Sequence, residues 1–165
     1  MNILFEMIGY ALFIGITATL FMDIYAILVL KAFNIPSLDY AIVGRWLGYF
    51  KDGVFRHDNI LKTEKVKGER LLGWLAHYVI GISFAFVLIL ICGIEWVHTP
   101  TFWPCLLVGL LTTVAPWFIM QPAFGFGIAA AKTPNPYLSR LRSLNAHAIY
   151  GIGLYIGAIL LSMLI

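Results

Sequence analysis

LLGWLAHYVIGISFAFVLILICGI, residues 71–94, runs 24 residues without a single Asp, Glu, Lys or Arg. As a helix rising 1.5 Å per residue it reaches about 36 Å, enough to cross the ~30 Å hydrocarbon layer of a bilayer. Three further stretches have the same character. Residues 3–30 are apolar apart from Glu6 near the start and Asp23 well inside. Residues 102–121 carry Pro104 and Pro116, with Pro122 just beyond, and residues 144–165 close the chain. Pro116 removes a backbone donor and crowds the preceding turn, which predicts a kink in the third span. Composition agrees: of 165 residues 61% are apolar and only 12% charged, with a mean hydropathy of +0.90. A soluble domain carries about a quarter charged residues. Half that share excludes a disordered chain, a nucleic-acid binder and an ordinary cytosolic globule. The expected fold is an all-α integral membrane protein, one domain over residues 1–165 with four transmembrane helices joined by large loops at 31–70 and 122–143.

The distribution of Lys and Arg predicts orientation. Eight of the eleven lie at 31–70 and the other three, Lys132, Arg140 and Arg142, at 122–143. None lies before residue 31, in the short 93–101 turn or after Arg142. Both termini are therefore expected outside, with both large loops in the cytoplasm of a multi-pass inner-membrane protein. The first span has no basic flank and is too long for a signal-peptide core, so it reads as a retained anchor. Cys92 and Cys105 flank the short turn and read as two unpaired thiols, a disulfide being the alternative in an oxidising compartment.

Within the 31–70 loop, PSLDYAIVGRWLGYF (residues 36–50) has the pattern of an interfacial helix. Leu38, Ala41, Ile42, Trp46 and Tyr49 share one face, with Asp39 and Arg45 elsewhere, and Trp and Tyr favour the headgroup level. The following FRHDNILKTEKVKGER is polar and basic, expected to face solvent or headgroups and to touch anionic lipid.

A shift of 70 residues lays RLRSLNAHAIYGIGLYIGAILL on RLLGWLAHYVIGISFAFVLILI with 8 identities in 22 positions. They include Arg70/Arg140, Ala76/Ala146, His77/His147 and Gly81/Gly151. The two helices run the same way through the membrane, which predicts two hairpins as a parallel pseudo-repeat.

Ionisable residues inside membrane helices are costly and face a bundle interior or a wet cavity. Asp23, His77 and His147 lie about 12, 10 and 8 Å from the nearest basic residue along their helices, on the same side of the membrane. Small and polar residues repeat every four positions around them: Ala11, Gly15, Thr19 and Asp23; Gly73, His77 and Gly81; Ser143, His147 and Gly151; Gly109, Thr113, Trp117 and Gln121. Such stripes let helices approach and bond through polar groups. They predict a cytoplasm-facing pocket of Thr19, Asp23, His77, Gln121, Asn145 and His147. The simpler alternative is that each polar group only bonds a neighbouring helix.

For function, the pocket suggests small-solute or proton-linked transport, with Asp23 as acceptor and the histidines as titratable partners. A membrane enzyme acting on a lipid or quinone, and an assembly subunit, are the competing classes. No cofactor is required, although Asp23, His77 and His147 offer ligands for a metal, or the two histidines for a haem. At 165 residues a homo-oligomer is expected; the other partner is the bilayer, with no nucleic acid. Gly125-Phe-Gly-Ile-Ala-Ala130 follows a membrane helix rather than a strand, and Glu95-x-x-His98 occurs once where a di-iron bundle needs two copies.

Five segments carry a family resemblance: IPSLDYAIVGRW, FRHD, GERLLGWLAHYVIG, IMQPAFGFGIAAAKTPNP and RLRSLNAHAIYGIGLY. Over Gly15 to Tyr155 the chain resembles the small membrane proteins grouped as domain of unknown function 2938. The resemblance implies a bacterial cytoplasmic-membrane protein of four helices, and no catalytic residues are carried over from it.

Overall fold

Asn2 opens the first helix, α1 (Ile3–Phe33), by accepting from the Leu4 N–H at 3.2 Å. Asn34 ends it in the left-handed conformation, a frequent helix terminator. The structure is a computed structural model that describes residues 2–165, and among these every regular element is helical. Helix α2 (Tyr40–Gly48) starts where Asp39 caps the Ala41 N–H at 3.0 Å. Helix α3 covers Glu69–Cys92, and α4 covers Phe102–Leu111. A π turn at Pro116–Met120 and the short α5 (Gln121–Ala123) prolong that third span. Helix α6 (Pro136–Ser162) begins well before the apolar run at residue 144, with Pro136 at its first position and Asn135 accepting from the Leu138 N–H. Four stretches are long and apolar enough to cross a membrane: Ile3–Phe33, Glu69–Cys92, Phe102–Ala123 and Pro136–Ser162. They mark a multi-pass membrane protein.

The bend expected at Pro116 takes a specific form. Lacking an N–H, Pro116 cannot donate to the Thr112 carbonyl, and the helix widens so that the Gln121 N–H bonds the Pro116 carbonyl. Proline inside a span is tolerated through such local π adjustments.

The chain divides into two compact units. The first is built from the chain up to Ser37, Tyr78–Thr112 and Asn145–Ile165. Its core holds Ile14, Ala18, Ala85, Leu88, Ile89, Leu154 and Ala158, all fully buried. Glycine sets its helix contacts. A Cβ on Gly15 would lie 2.5 Å from the Ile82 Cα, one on Gly153 2.8 Å from the Ala18 Cα, and one on Gly109 2.5 Å from the Gly151 Cα. Backbones meet directly where lipid supplies no hydrophobic drive for association, so packing must do it. Contacts 15–82 and 23–78 fix α1 and α3 as antiparallel, and 14–157 with 18–153 do the same for α1 and α6. Helices α3 and α6 therefore run parallel in this unit.

The second unit comprises Leu38–His77 and Thr113–Leu144. Val43, Ile60, Ala123 and Phe124 form its core, with Trp46, Leu47 and Met120 packed against it. Helix α2 crosses the start of α3 through two glycines: a Cβ on Gly44 would run into the Glu69 carbonyl, and one on Gly73 into that of Tyr40. The stretch following α2 keeps most of its charged side chains exposed, as its sequence suggests, but two of its residues turn inward. His57 and Ile60 are buried, their N–H groups donating to the carbonyls of Ala123 (2.8 Å) and Phe124 (3.0 Å). Gly125, at φ +84°, turns the chain here, where any side chain would overlap the Asp58 carbonyl.

Candidate functional site

In the first unit the small and polar stripe of α1 is its buried face. Ala11, Gly15, Thr19 and Asp23 are all buried, Asp23 at 8% exposure. The Thr19 hydroxyl donates to the Gly15 carbonyl at 2.7 Å and stands against Gly81, where a Cβ would collide with it. One turn on, Asp23 accepts from the Tyr78 hydroxyl at 3.0 Å, so an intramembrane carboxylate of α1 is bonded to a phenol of α3. Helix α6 contributes three more polar joins. Asn145 is exposed, yet its amide nitrogen donates to the Tyr25 hydroxyl at 2.8 Å. His147 Nδ1 lies 2.6 Å from the Thr112 hydroxyl, which also approaches the Gly109 carbonyl at 2.5 Å. That hydroxyl has one proton. If it goes to the carbonyl, which has no proton to give in return, Nδ1 of His147 must carry the hydrogen of the second bond. The Tyr150 hydroxyl donates to the Gly81 carbonyl at 2.6 Å.

The second unit holds the other two expected residues. The His77 ring stacks on Tyr40 with centroids 3.9 Å apart and meets Trp74 edge-on at 5.7 Å. Gln121 keeps its Oε1 buried without a hydrogen-bond partner, and Trp117 Nε1, one turn earlier, is in the same condition. At the start of α3, the Arg45 guanidinium grips Glu69 in fork geometry at 2.8 and 2.9 Å. Its remaining nitrogen donates to the carbonyls of Ile60 and Thr63 at 2.9 and 3.2 Å. This ion pair sits at 7% and 13% side-chain exposure and holds Arg45 charged beyond its ordinary range. His57 has Nδ1 3.3 Å from the Thr63 hydroxyl and a buried Nε2 without a partner. Burial, and then the nearby Arg45 charge, lower its pKa below the usual 6.5.

Thr19, Asp23, Asn145 and His147 thus belong to the first unit, His77 and Gln121 to the second. Among the described residues no three His, Cys, Asp or Glu side chains group as a metal site requires. Cys92 and Cys105 are free thiols. Sequence reasoning passed over Tyr78 and Thr112, though each adjoins a stripe it had drawn, and named Trp117 only as part of a stripe. Counting in fours picks His77 and Thr113; the hydroxyls that meet Asp23 and His147 are one residue away.

Chemically, the first unit offers a carboxylate and an imidazole, each tied across a helix contact, and several hydroxyls. No curated protein and no solved structure matches the chain. A family model does: the one described as "Protein of unknown function (DUF2938)" matches residues 12–161. That span takes in α1 from Leu12 onward, nearly the whole of the other three apolar helices, the Asp23 and His147 joins and the Arg45–Glu69 pair. The chain belongs to this family.

Proposed function

We propose that the chain moves protons, alone or coupled to a small solute, through polar residues carried inside its membrane spans. Asp23 carries the reading. A carboxylate inside a span, 8% exposed and hydrogen-bonded to Tyr78, is an expensive group to keep unless it exchanges a proton or binds a cation. His147, bonded to Thr112, supplies a second titratable group in the same unit, and imidazole changes charge near physiological pH. The rest of the proposal follows from the charges: both termini outside, the basic loops on anionic lipid at the cytoplasmic face of a bacterial inner membrane. Helices α3 and α6, parallel and similar in sequence, support a hairpin pseudo-repeat. Trp46 on α2 and Tyr49 just after it suit the headgroup level. A homo-oligomer completes the transport path.

The test is proton flux in proteoliposomes under an imposed pH gradient. Wild type passes protons, and Asp23→Asn, whose amide oxygen still accepts from Tyr78, abolishes the flux at unchanged helical content. Equal flux in the two proteins removes Asp23 from the mechanism. A second reading, an assembly subunit, is favoured by one observation: Asp23, Asn145 and His147 each bond a neighbouring helix. It expects no flux from wild type and co-purification of a constant partner.

A further inference from the structure

The third span contains a pair of buried polar atoms that the transport reading leaves unused. Trp117 Nε1 is a donor and Gln121 Oε1 an acceptor, both buried and both without a partner in the protein. They belong to the π turn Pro116–Met120 and the residue that closes it, where the Gln121 N–H reaches back to the Pro116 carbonyl. Prolines stand on both sides of the pair, Pro116 before Trp117 and Pro122 after Gln121. Single π turns inside α-helices recur at functional sites. An unsatisfied polar atom at membrane depth costs several kcal/mol, so two of them one turn apart call for a common partner.

We propose that this π turn binds one hydroxyl group, which accepts from Trp117 Nε1–H and donates to Gln121 Oε1. The chemistry selects the ligand class. A carbonyl or carboxylate would satisfy the indole alone, and an ammonium the amide oxygen alone; a hydroxyl oxygen does both. Both residues belong to the same turn, Trp117 inside it and Gln121 closing it. The surroundings favour an uncharged ligand, since Met120, Ala123 and Phe124 beside the pair belong to an apolar cluster. The hydroxyl can come from water or from a lipid headgroup, and the site stands or falls independently of Asp23.

The test uses the full chain with ¹⁵N-labelled indoles, in nanodiscs of phosphatidylcholine and, separately, of phosphatidylglycerol, whose headgroup bears hydroxyls. Solid-state NMR reads the Trp117 indole signal, assigned by its loss in Trp117→Phe, and the magnetisation it receives from water or lipid glycerol protons. The expected result is a hydrogen-bonded indole fed by water in both bilayers, or by glycerol in phosphatidylglycerol alone; the two arms separate the sources. Gln121→Met, similar in shape but unable to accept, should lower the transfer several-fold. A Trp117 signal typical of an unbonded N–H overturns the proposal. So does a bonded signal fed by neither water nor lipid, which marks a protein partner, or full transfer in Gln121→Met. Should that variant fail to fold, the wild-type transfer decides alone.

Discussion

His57 shows what a polar residue does when a fold closes over it. At 8% exposure, with Arg45 nearby, its ring is held neutral and its pKa lies below the ordinary 6.5. As pH falls the unfolded chain therefore takes up this proton first. The stability contributed by neutral His57 is complete above about pH 6.5 and is lost progressively below it, until the folded residue itself titrates. Thermal unfolding of the detergent-purified protein between about pH 8 and 5, the interval in which histidine changes charge, should show wild type losing more stability on acidification than His57→Gln. Equal losses would assign the acid sensitivity elsewhere. Asp23 is different in kind. Its burial was legible, because Ala11, Gly15, Thr19 and Asp23 can share a face only if that face is the packed one. The bond from Tyr78 was not, because the chain places Tyr78 beside the more conspicuous His77, and the rotation of α3 about its axis is not written in the sequence.

Among the elements, glycine is the residue to perturb. A Cβ on Gly15 would press on the backbone of Ile82, which cannot move aside as a side chain would. Gly9, on the same helix, has nothing within 4 Å of that position. Gly15→Ala should cost about 1–3 kcal/mol, while Gly9→Ala should be neutral or gain up to about 1 kcal/mol from helix propensity. Unfolding by denaturant in mixed micelles compares them, and equal effects would deny the backbone contact. The Arg45–Glu69 pair makes a second case. Arg45→Ala strands a buried carboxylate and two carbonyls, at a cost of about 3–5 kcal/mol. The double change Arg45→Met with Glu69→Leu should recover most of that loss in the same assay, whereas a loss equal to the single variant's would mean that the carbonyls matter more than the charge. Sequence reading placed Arg45 on a polar face because a charge in a short helix normally seeks water. It could not see that Glu69, 24 positions later, would meet the guanidinium in two bonds. The four long helices needed no such knowledge, since their apolar length alone identifies them.

For the molecule as a whole, charge is partitioned rather than scattered. Ten of the eleven Lys and Arg residues fall in the second unit, Lys31 being the exception. That partition underlies the proposed topology, in which reporter fusions after Lys67 and at Ile165 give signals from opposite sides of the membrane; signals from one side would reverse the assignment of both loops. The division into two units was not legible in the sequence, because a single run such as residues 71–94 contributes to both. The clasp between His57–Ile60 and Ala123–Phe124 has a consequence for biosynthesis. Its halves are far apart in the chain, so the first must wait for the second to be made. At about 5–20 residues per second, the growing chain holds the His57 segment unclasped for roughly 3–13 seconds. During that interval two more spans must enter the bilayer, and Ile60, later fully buried, is exposed to proteases and chaperones. Quality control at the ribosome would thus meet this protein at its first loop whenever the second or third span had gone astray.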